Sequence, residues 1–356
     1  MKQISLLALG ITSLFPISSY AVEGGTALSW SKYPYLVESQ CTGTVIAGKY
    51  VLLAGHCGDS IDNPFPRLVN FSNGSSMMPI NRNTLYKPDL PETKFADIAL
   101  WTLPESVSIN KVAFIDNLNN PSTTPTVDEK ISFIGFGQYD KIPRLSQAFN
   151  HITQADNGAM RISYSDTAQH SVPGDSGAPI FNLNEKGQID KIIGVNYSST
   201  GSIDPSTGLY RQNGVNLRFV KDWLLQSINA WHSPTELKFT GSNTIEIQSL
   251  HVNDTNLALR QNNGALSSGD VTVTGGSCIT DGDVAPFGTC TLELSSTGSE
   301  GHIMLDDGNT ITINRAPKPE PEPKPDPQPS NGGGSGGSMG YLSLLGLLVL
   351  AFKRKK

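Results

Sequence analysis

The chain has 356 residues, 16% of them charged, and a formal net charge of −6, with no basic patch in its body. That balance excludes the electrostatic footprint of a nucleic-acid binder. No metal-ligand cluster, nucleotide loop or cofactor-lysine motif is present, so no cofactor or metal is expected.

Met1-Lys2-Gln3 is followed by an apolar run from Ile4 to Phe15, then Pro16 and Ser19-Tyr20-Ala21. A short basic start, an apolar stretch and small residues before a cut predict a secretory signal peptide over 1–21, removed during export across the inner membrane. The mature chain then begins Val22-Glu23-Gly24-Gly25, with no Lys or Arg before it. From Val22 to about Trp231 the chain is a series of short strand-like runs, among them Thr44-Val45-Ile46, Tyr50 to Leu53, Ile131 to Ile134 and Ile192 to Val195, separated by Gly, Pro, Asn and Asp. This predicts an antiparallel barrel or sandwich. Phe219 to Ile228 has apolar residues at helical spacing.

Composition shifts toward Thr, Ser, Asn and Gly from Pro234 to Arg315, with alternation in Val271-Thr272-Val273-Thr274 and Thr291-Leu292-Glu293-Leu294. A small β-sandwich over 234–315 is expected, stapled by Cys278 and Cys290. A spacer or a secretion-recognition module suits it better than a carbohydrate-binding domain, because no aromatic cluster offers a sugar platform. The four cysteines form two local pairs, and an even number in an exported chain favours disulfides. Zinc is the alternative, although neither pair has a second Cys/His pair at ligand spacing. Residues 316–338 are a linker in which proline at every second position gives way to Gly and Ser. The proline part is an extended spacer reaching on the order of 40 Å. The tail, 339–356, has an apolar run from Tyr341 to Phe352 and ends Lys353-Arg354-Lys355-Lys356. The run is short against the roughly 20 residues of a full span, and the basic end favours the cytoplasmic side.

Three segments carry the chemistry: Leu53-Ala54-Gly55-His56-Cys57, Asp97-Ile98-Ala99-Leu100-Trp101 and Pro173-Gly174-Asp175-Ser176-Gly177-Ala178-Pro179. Singly, each residue has a structural explanation, as a packed histidine, a strand-edge acid or a turn serine. In the order His, Asp, Ser they resemble the trypsin-like (chymotrypsin-fold) serine proteases across 22–232. The resemblance implies an all-β double β-barrel with a C-terminal helix, here followed by the sandwich. It implies Ser176 as nucleophile, His56 as base and Asp97 as its orienting acid, with the Gly174 and Ser176 N–H groups as the oxyanion hole. It also implies a Cys41–Cys57 disulfide bracing the histidine loop, and a Val22 α-amino group folded inward onto Asp175. Protein or peptide substrates follow. Leu53 and Gly55 replace the usual small polar residue and alanine before the histidine. Asn196 stands where a serine helps solvate the triad acid, and its amide is expected to donate to Asp97.

The residue six before Ser176 is the base of the primary pocket in this family, where aspartate selects Arg or Lys; here it is His170, followed by Ser171. Ser198 and Gly214 would line the walls. Imidazolium and hydroxyl donors suit an acidic or polar side chain; alternatively His170 turns aside and the pocket takes apolar residues. The tripartite tail resembles the GlyGly-CTERM sorting signal, implying cleavage by a rhombosortase, type II secretion and retention at the cell surface, with an uncleaved membrane anchor as the alternative. The functional expectation is a surface-retained serine endopeptidase. Its rivals are a catalytically silent homologue acting as adhesin or scaffold, and a periplasmic quality-control protease.

Overall fold

Strand residues alternate between two apolar surfaces, and that alternation builds the molecule. In the computed structural model, which describes residues 22–60, 63–87, 89–90, 95–137, 144–154 and 161–317, the first sheet has seven strands. Their order is Ser76–Met77, Val69–Asn70, Leu36–Glu38, Thr42–Ile46, Tyr50–Leu53, Ala99–Thr102 and Asn81–Thr84. Val45, Val51, Leu53, Ala99 and Trp101 fill one side of this sheet. Ile46, Leu52 and Leu100, one residue out of phase, face the other side, as a two-residue period requires.

The second sheet closes on itself. Ser146–Gln154 pairs with Lys130–Gly135, and the sheet continues through Pro179–Leu183, Ile189–Asp204, Leu209–Asn216 and Arg161–Asp166 back to Ser146–Gln154. Val22, Ile131, Phe133, Ala148, Ile152, Ile162, Tyr164, Ile180 and Ile193 form its core. Between the barrels, Leu36, Ile46, Leu52, Leu100, Ile134, Phe181, Ile192 and Val215 share one cluster with Leu224, Leu225 and Ile228 of a C-terminal helix. That helix runs Lys221–Ile228 and ends at Asn229 in the left-handed region. Phe219 and Val220, expected within the helical stretch, instead end a tighter 3-10 turn, Leu217–Val220, capped by the Asn216 side chain on the Arg218 N–H. The fold is thus the chymotrypsin-like double barrel with its final helix.

Two four-stranded sheets follow: Ala230–His232, Gly241–Leu250, Thr289–Ser296 and Thr272–Gly275, and Glu236–Leu237, Asn309–Ile313, Gly301–Asp306 and Ser267–Gly269. Leu292, Leu294, Ile303, Leu305, Ile311 and Ile313 meet between them. Both cysteine pairs are disulfides, Cys41–Cys57 and Cys278–Cys290. The sandwich begins earlier than its composition suggests, since Trp231 is fully buried in this core.

The sandwich is fused to the barrels through backbone groups. The Gln248 amide accepts from the Ile115 N–H (3.0 Å) and donates to the Ile115 carbonyl (2.6 Å) and the Phe287 carbonyl (3.1 Å). His232, fully buried, accepts from the Ala47 N–H at Nδ1 (3.0 Å) and donates from Nε2 to the Ala113 carbonyl (3.0 Å). Phe287 and Leu250 enter the cluster between the barrels, and barrels and sandwich belong to one compact unit. Residues 1–21, expected to be a signal peptide, and 318–356, holding most of the expected linker and the whole expected tail, lie outside the described residues. Among the described residues no helix is long and apolar enough to cross a membrane.

Burial pushes the His232 imidazole down to about 4. The unfolded chain takes up that proton near 6.5, so acidification favours unfolding: the stability is complete at neutral pH and falls between about 6.5 and 4. By pH 5 the loss is on the order of 2 kcal/mol. Urea midpoints at pH 7 and pH 5 will show this drop, and His232→Asn, less stable at pH 7, will show a smaller one.

Candidate active site

His56 sits in a 3-10 turn, Gly55–Gly58, directly after the strand Tyr50–Leu53. Two braces hold the turn. Cys57 is tied to Cys41, and Arg82 donates to the Gly55 carbonyl (2.7 Å) and pairs with Asp59 (2.9 Å). Ala99 lies opposite Leu53, and this register brings Asp97, two residues earlier, against the histidine. One Asp97 oxygen accepts the His56 backbone N–H (2.8 Å), and the other lies 2.7 Å from Nδ1. The far nitrogen, Nε2, is 3.0 Å from Ser176 Oγ. Asp97 is buried, while His56 and Ser176 are partly open.

Gly55, unusual before such a histidine, has a packing cause. A Cβ there would lie 2.4 Å from Tyr86 Cβ and 3.0 Å from Asp97 Oδ1. Tyr86 uses the space to set its ring edge-on to His56, centroids 6.3 Å apart. Gly55→Ala therefore displaces the tyrosine or the acid, and kcat/KM on a peptide substrate should fall at least about tenfold, although alanine is the commoner residue there in the family.

The serine turn is held from three sides. The Asp175 N–H donates to the Val172 carbonyl (3.0 Å), Gly177 N–H to Asn196 (2.7 Å) and Thr42 N–H to Ser176 (2.8 Å). The buried Thr42 hydroxyl donates to the Gly174 carbonyl (2.9 Å) and accepts from the Phe136 N–H (2.8 Å). Gly174 has φ of +99°, which side chains rarely tolerate. Among the described residues, neither the Gly174 nor the Ser176 N–H donates to a backbone carbonyl. Two such donors beside a serine hydroxyl can bind a developing oxyanion.

Asp175 points the other way, into the second barrel. It is fully buried, with one oxygen accepting from the Val172 N–H (2.9 Å) and Oδ1 accepting no well-formed bond. Burial drives its carboxyl well above the usual range, against the opposing pull of the Val172 and Gly137 N–H groups. Oδ1 lies so close over Gly135 that a Cβ there would meet it at 2.2 Å. Ser146 faces Gly135 in register, and its hydroxyl accepts from the Val22 nitrogen (2.5 Å). The Val22 nitrogen and this carboxylate oxygen thus converge on one pair of residues, Gly135 and Ser146.

The four residues read as pocket lining are less uniform. His170 is buried, its ring stacked on Tyr210 at 3.7 Å and 7°, and its backbone exchanges two hydrogen bonds with Glu23. Burial pushes its imidazole down, with Glu23 opposing. Ser171 is buried, and its N–H donates to Gln212 (2.7 Å). The Ser198 hydroxyl accepts from the Asn213 amide (3.1 Å). Gly214 faces the barrel core rather than a wall, since a Cβ there would strike Ile180 Cδ1 at 2.1 Å.

Asn196 also departs from expectation. Its amide donates to the Asp175 carbonyl (2.9 Å) and accepts from the Tyr164 hydroxyl (2.6 Å), not to Asp97, because Tyr164 fixes the amide toward the serine turn. No motif marked Thr42, Tyr86 or Tyr164, whose contacts span distant parts of the chain.

The Trypsin family model matches residues 24–220. A solved structure, "Structure of Vibrio cholerae VesB protease", is similar at 16% identity and a TM-score of 0.43, covering 81% of this chain and 98% of that one. The family match takes in both barrels and all three segments around His56, Asp97 and Ser176, and the chain belongs to the trypsin family of serine proteases.

Proposed function

We propose that the chain is a secreted, surface-retained serine endopeptidase acting on extracellular proteins through an acyl-enzyme. The observation that carries this reading is the continuous run Asp97–His56–Ser176 at 2.7 and 3.0 Å. Ser176 Oγ attacks the scissile carbonyl carbon while His56 Nε2 takes its proton, and Asp97 holds the imidazole and stabilises its cation. The carbonyl oxygen becomes an oxyanion facing the Gly174 and Ser176 N–H groups. Collapse breaks the C–N bond, and His56 returns its proton to the leaving amine. Water, deprotonated by the same nitrogen, then releases the acid and frees Ser176.

Maturation belongs to this mechanism. Signal peptidase cleavage after Ala21 would give Val22 a charged amino group beside the Asp175 carboxylate, supplying the partner a buried charge requires. No acid stands at position 170, which removes the electrostatic cause of a preference for Arg or Lys. The tail's glycine-rich spacer, apolar run and basic end support a GlyGly-CTERM type of sorting, with rhombosortase cleavage, type II secretion and cell-surface retention.

The test is hydrolysis of an unbiased peptide library by the mature protein, with cleavage sites read by mass spectrometry. Cleavage within peptides, with Arg and Lys not favoured before the cut, is expected. No cleavage by a chain that begins at Val22 would make it a silent homologue serving as adhesin or scaffold.

A further inference from the structure

We propose that Asn196 is a positioning residue for the oxyanion hole: through the Asp175 carbonyl it sets the direction of the Ser176 N–H, and Tyr164 fixes Asn196 in turn. This rests on the serine-protease reading above and names a part of that machinery the family's usual residue does not supply.

The Asp175 carbonyl and the Ser176 N–H belong to one peptide unit. In a planar trans peptide they point in opposite directions, so whatever holds the carbonyl also aims the N–H. Asn196 Nδ2 donates to that carbonyl at 2.9 Å, alongside the Ala178 N–H at 3.0 Å. A flipped amide would set Oδ1 against the Asp175 carbonyl oxygen, acceptor against acceptor, and in the orientation that remains the Tyr164 hydroxyl donates to Asn196 Oδ1 at 2.6 Å. All of this is out of water, with Asn196 1% exposed and Tyr164 and Asp175 0%, where an unmade bond is costly. The Asn196 backbone grips the same turn, accepting from Gly177 (2.7 Å) and donating to Ala178 (2.8 Å). Asp97, meanwhile, takes the His56 N–H and Nδ1 and no bond from Asn196.

The experiment compares mature wild type with Asn196→Ala, Asn196→Ser and Tyr164→Phe. It uses a cleavable peptide and a peptide aldehyde of the same sequence, whose hemiacetal oxygen occupies the oxyanion position. Expected is a loss in kcat of about 10- to 100-fold for both Asn196 variants, with KM within about twofold. Tyr164→Phe loses less, and aldehyde affinity falls in step with kcat/KM. The acid limb of kcat/KM against pH stays where it is in wild type. Serine at 196 gives no rescue, although it is the family's usual residue.

Unchanged aldehyde affinity would overturn the proposal, as would a shifted acid limb, which would place Asn196 on the Asp97–His56 pair. Should Asn196→Ala fail to fold, Tyr164→Phe, nearly isosteric, decides: a weaker aldehyde complex supports the relay and an unchanged one rejects it. A wild type that neither cleaves peptide nor binds aldehyde would sink the protease reading itself. An active wild type with insensitive variants overturns this inference alone.

Discussion

Alanine at position 176 will lower kcat on a peptide substrate by on the order of 10⁶, with the thermal midpoint nearly unchanged. The size of the effect follows from how the three side chains work as a unit. Asp97 sets the imidazole through two bonds, one to the His56 backbone and one to Nδ1. The imidazole in turn has one target, Ser176 Oγ at 3.0 Å. Without that oxygen the base has nothing to activate except water, and the two N–H donors provide only residual catalysis. Little packing is lost, because Ser176 is partly open and its turn is held by backbone bonds from Thr42 and Ala178. Steady-state rates beside a melting curve separate the two effects. Hydrolysis at the wild-type rate in Ser176→Ala would reject the serine mechanism.

The second large effect concerns Val22, proposed as the first residue of the mature chain. A protein carrying additional residues before Val22 will show kcat/KM lower by roughly 10²- to 10³-fold, the equivalent of losing one partner of a buried ion pair. Val22 is fully buried in the second barrel, and its nitrogen meets Ser146 opposite Gly135, where Asp175 Oδ1 accepts no well-formed bond among the described residues. A free amino group there is a cation beside a carboxylate, whereas a peptide nitrogen is not. The pH dependence separates the two forms. In the extended form the raised carboxyl pKa of Asp175 favours the protonated acid, so stability is present at low pH and declines as pH rises through the carboxyl's folded value. In the mature form the amine offsets that loss. Rates and urea midpoints of the two forms, with N-termini verified by intact mass, check both statements. Equal kcat/KM for the extended and Val22 forms would remove the N-terminus from the mechanism.

What the sequence made legible was local. Alternation in Thr291-Leu292-Glu293-Leu294 corresponds to Leu292 and Leu294 buried in the strand Thr289–Ser296, and apolar spacing before Asn229 to the helix Lys221–Ile228. The segments around His56, Asp97 and Ser176 stood out because each is a compact string of unusual residues. What stayed hidden was long-range. Asn196 reads like a replacement for a serine facing Asp97, yet the hydroxyl that turns it away belongs to Tyr164, 32 residues earlier. Gly55 reads as a departure until Tyr86 is seen in the space its Cβ would fill. Gln248 and His232 fuse the sandwich to the barrels through backbone groups 133 and 185 residues away. No composition shift announces such bonds, because an amide or imidazole looks the same in sequence whether it faces water or a buried carbonyl. His170 is similar: its ring stacks on Tyr210, far from it in sequence, and nothing in its own neighbours marks that contact.

The most direct test is to treat the mature protein and Ser176→Ala with a fluorophosphonate and to read labelling by intact mass. That reaction needs the nucleophile, its base and the oxyanion donors together. One adduct per wild-type chain and none on the variant is the predicted result. A wild type that begins at Val22 and takes no label would contradict the assembled site.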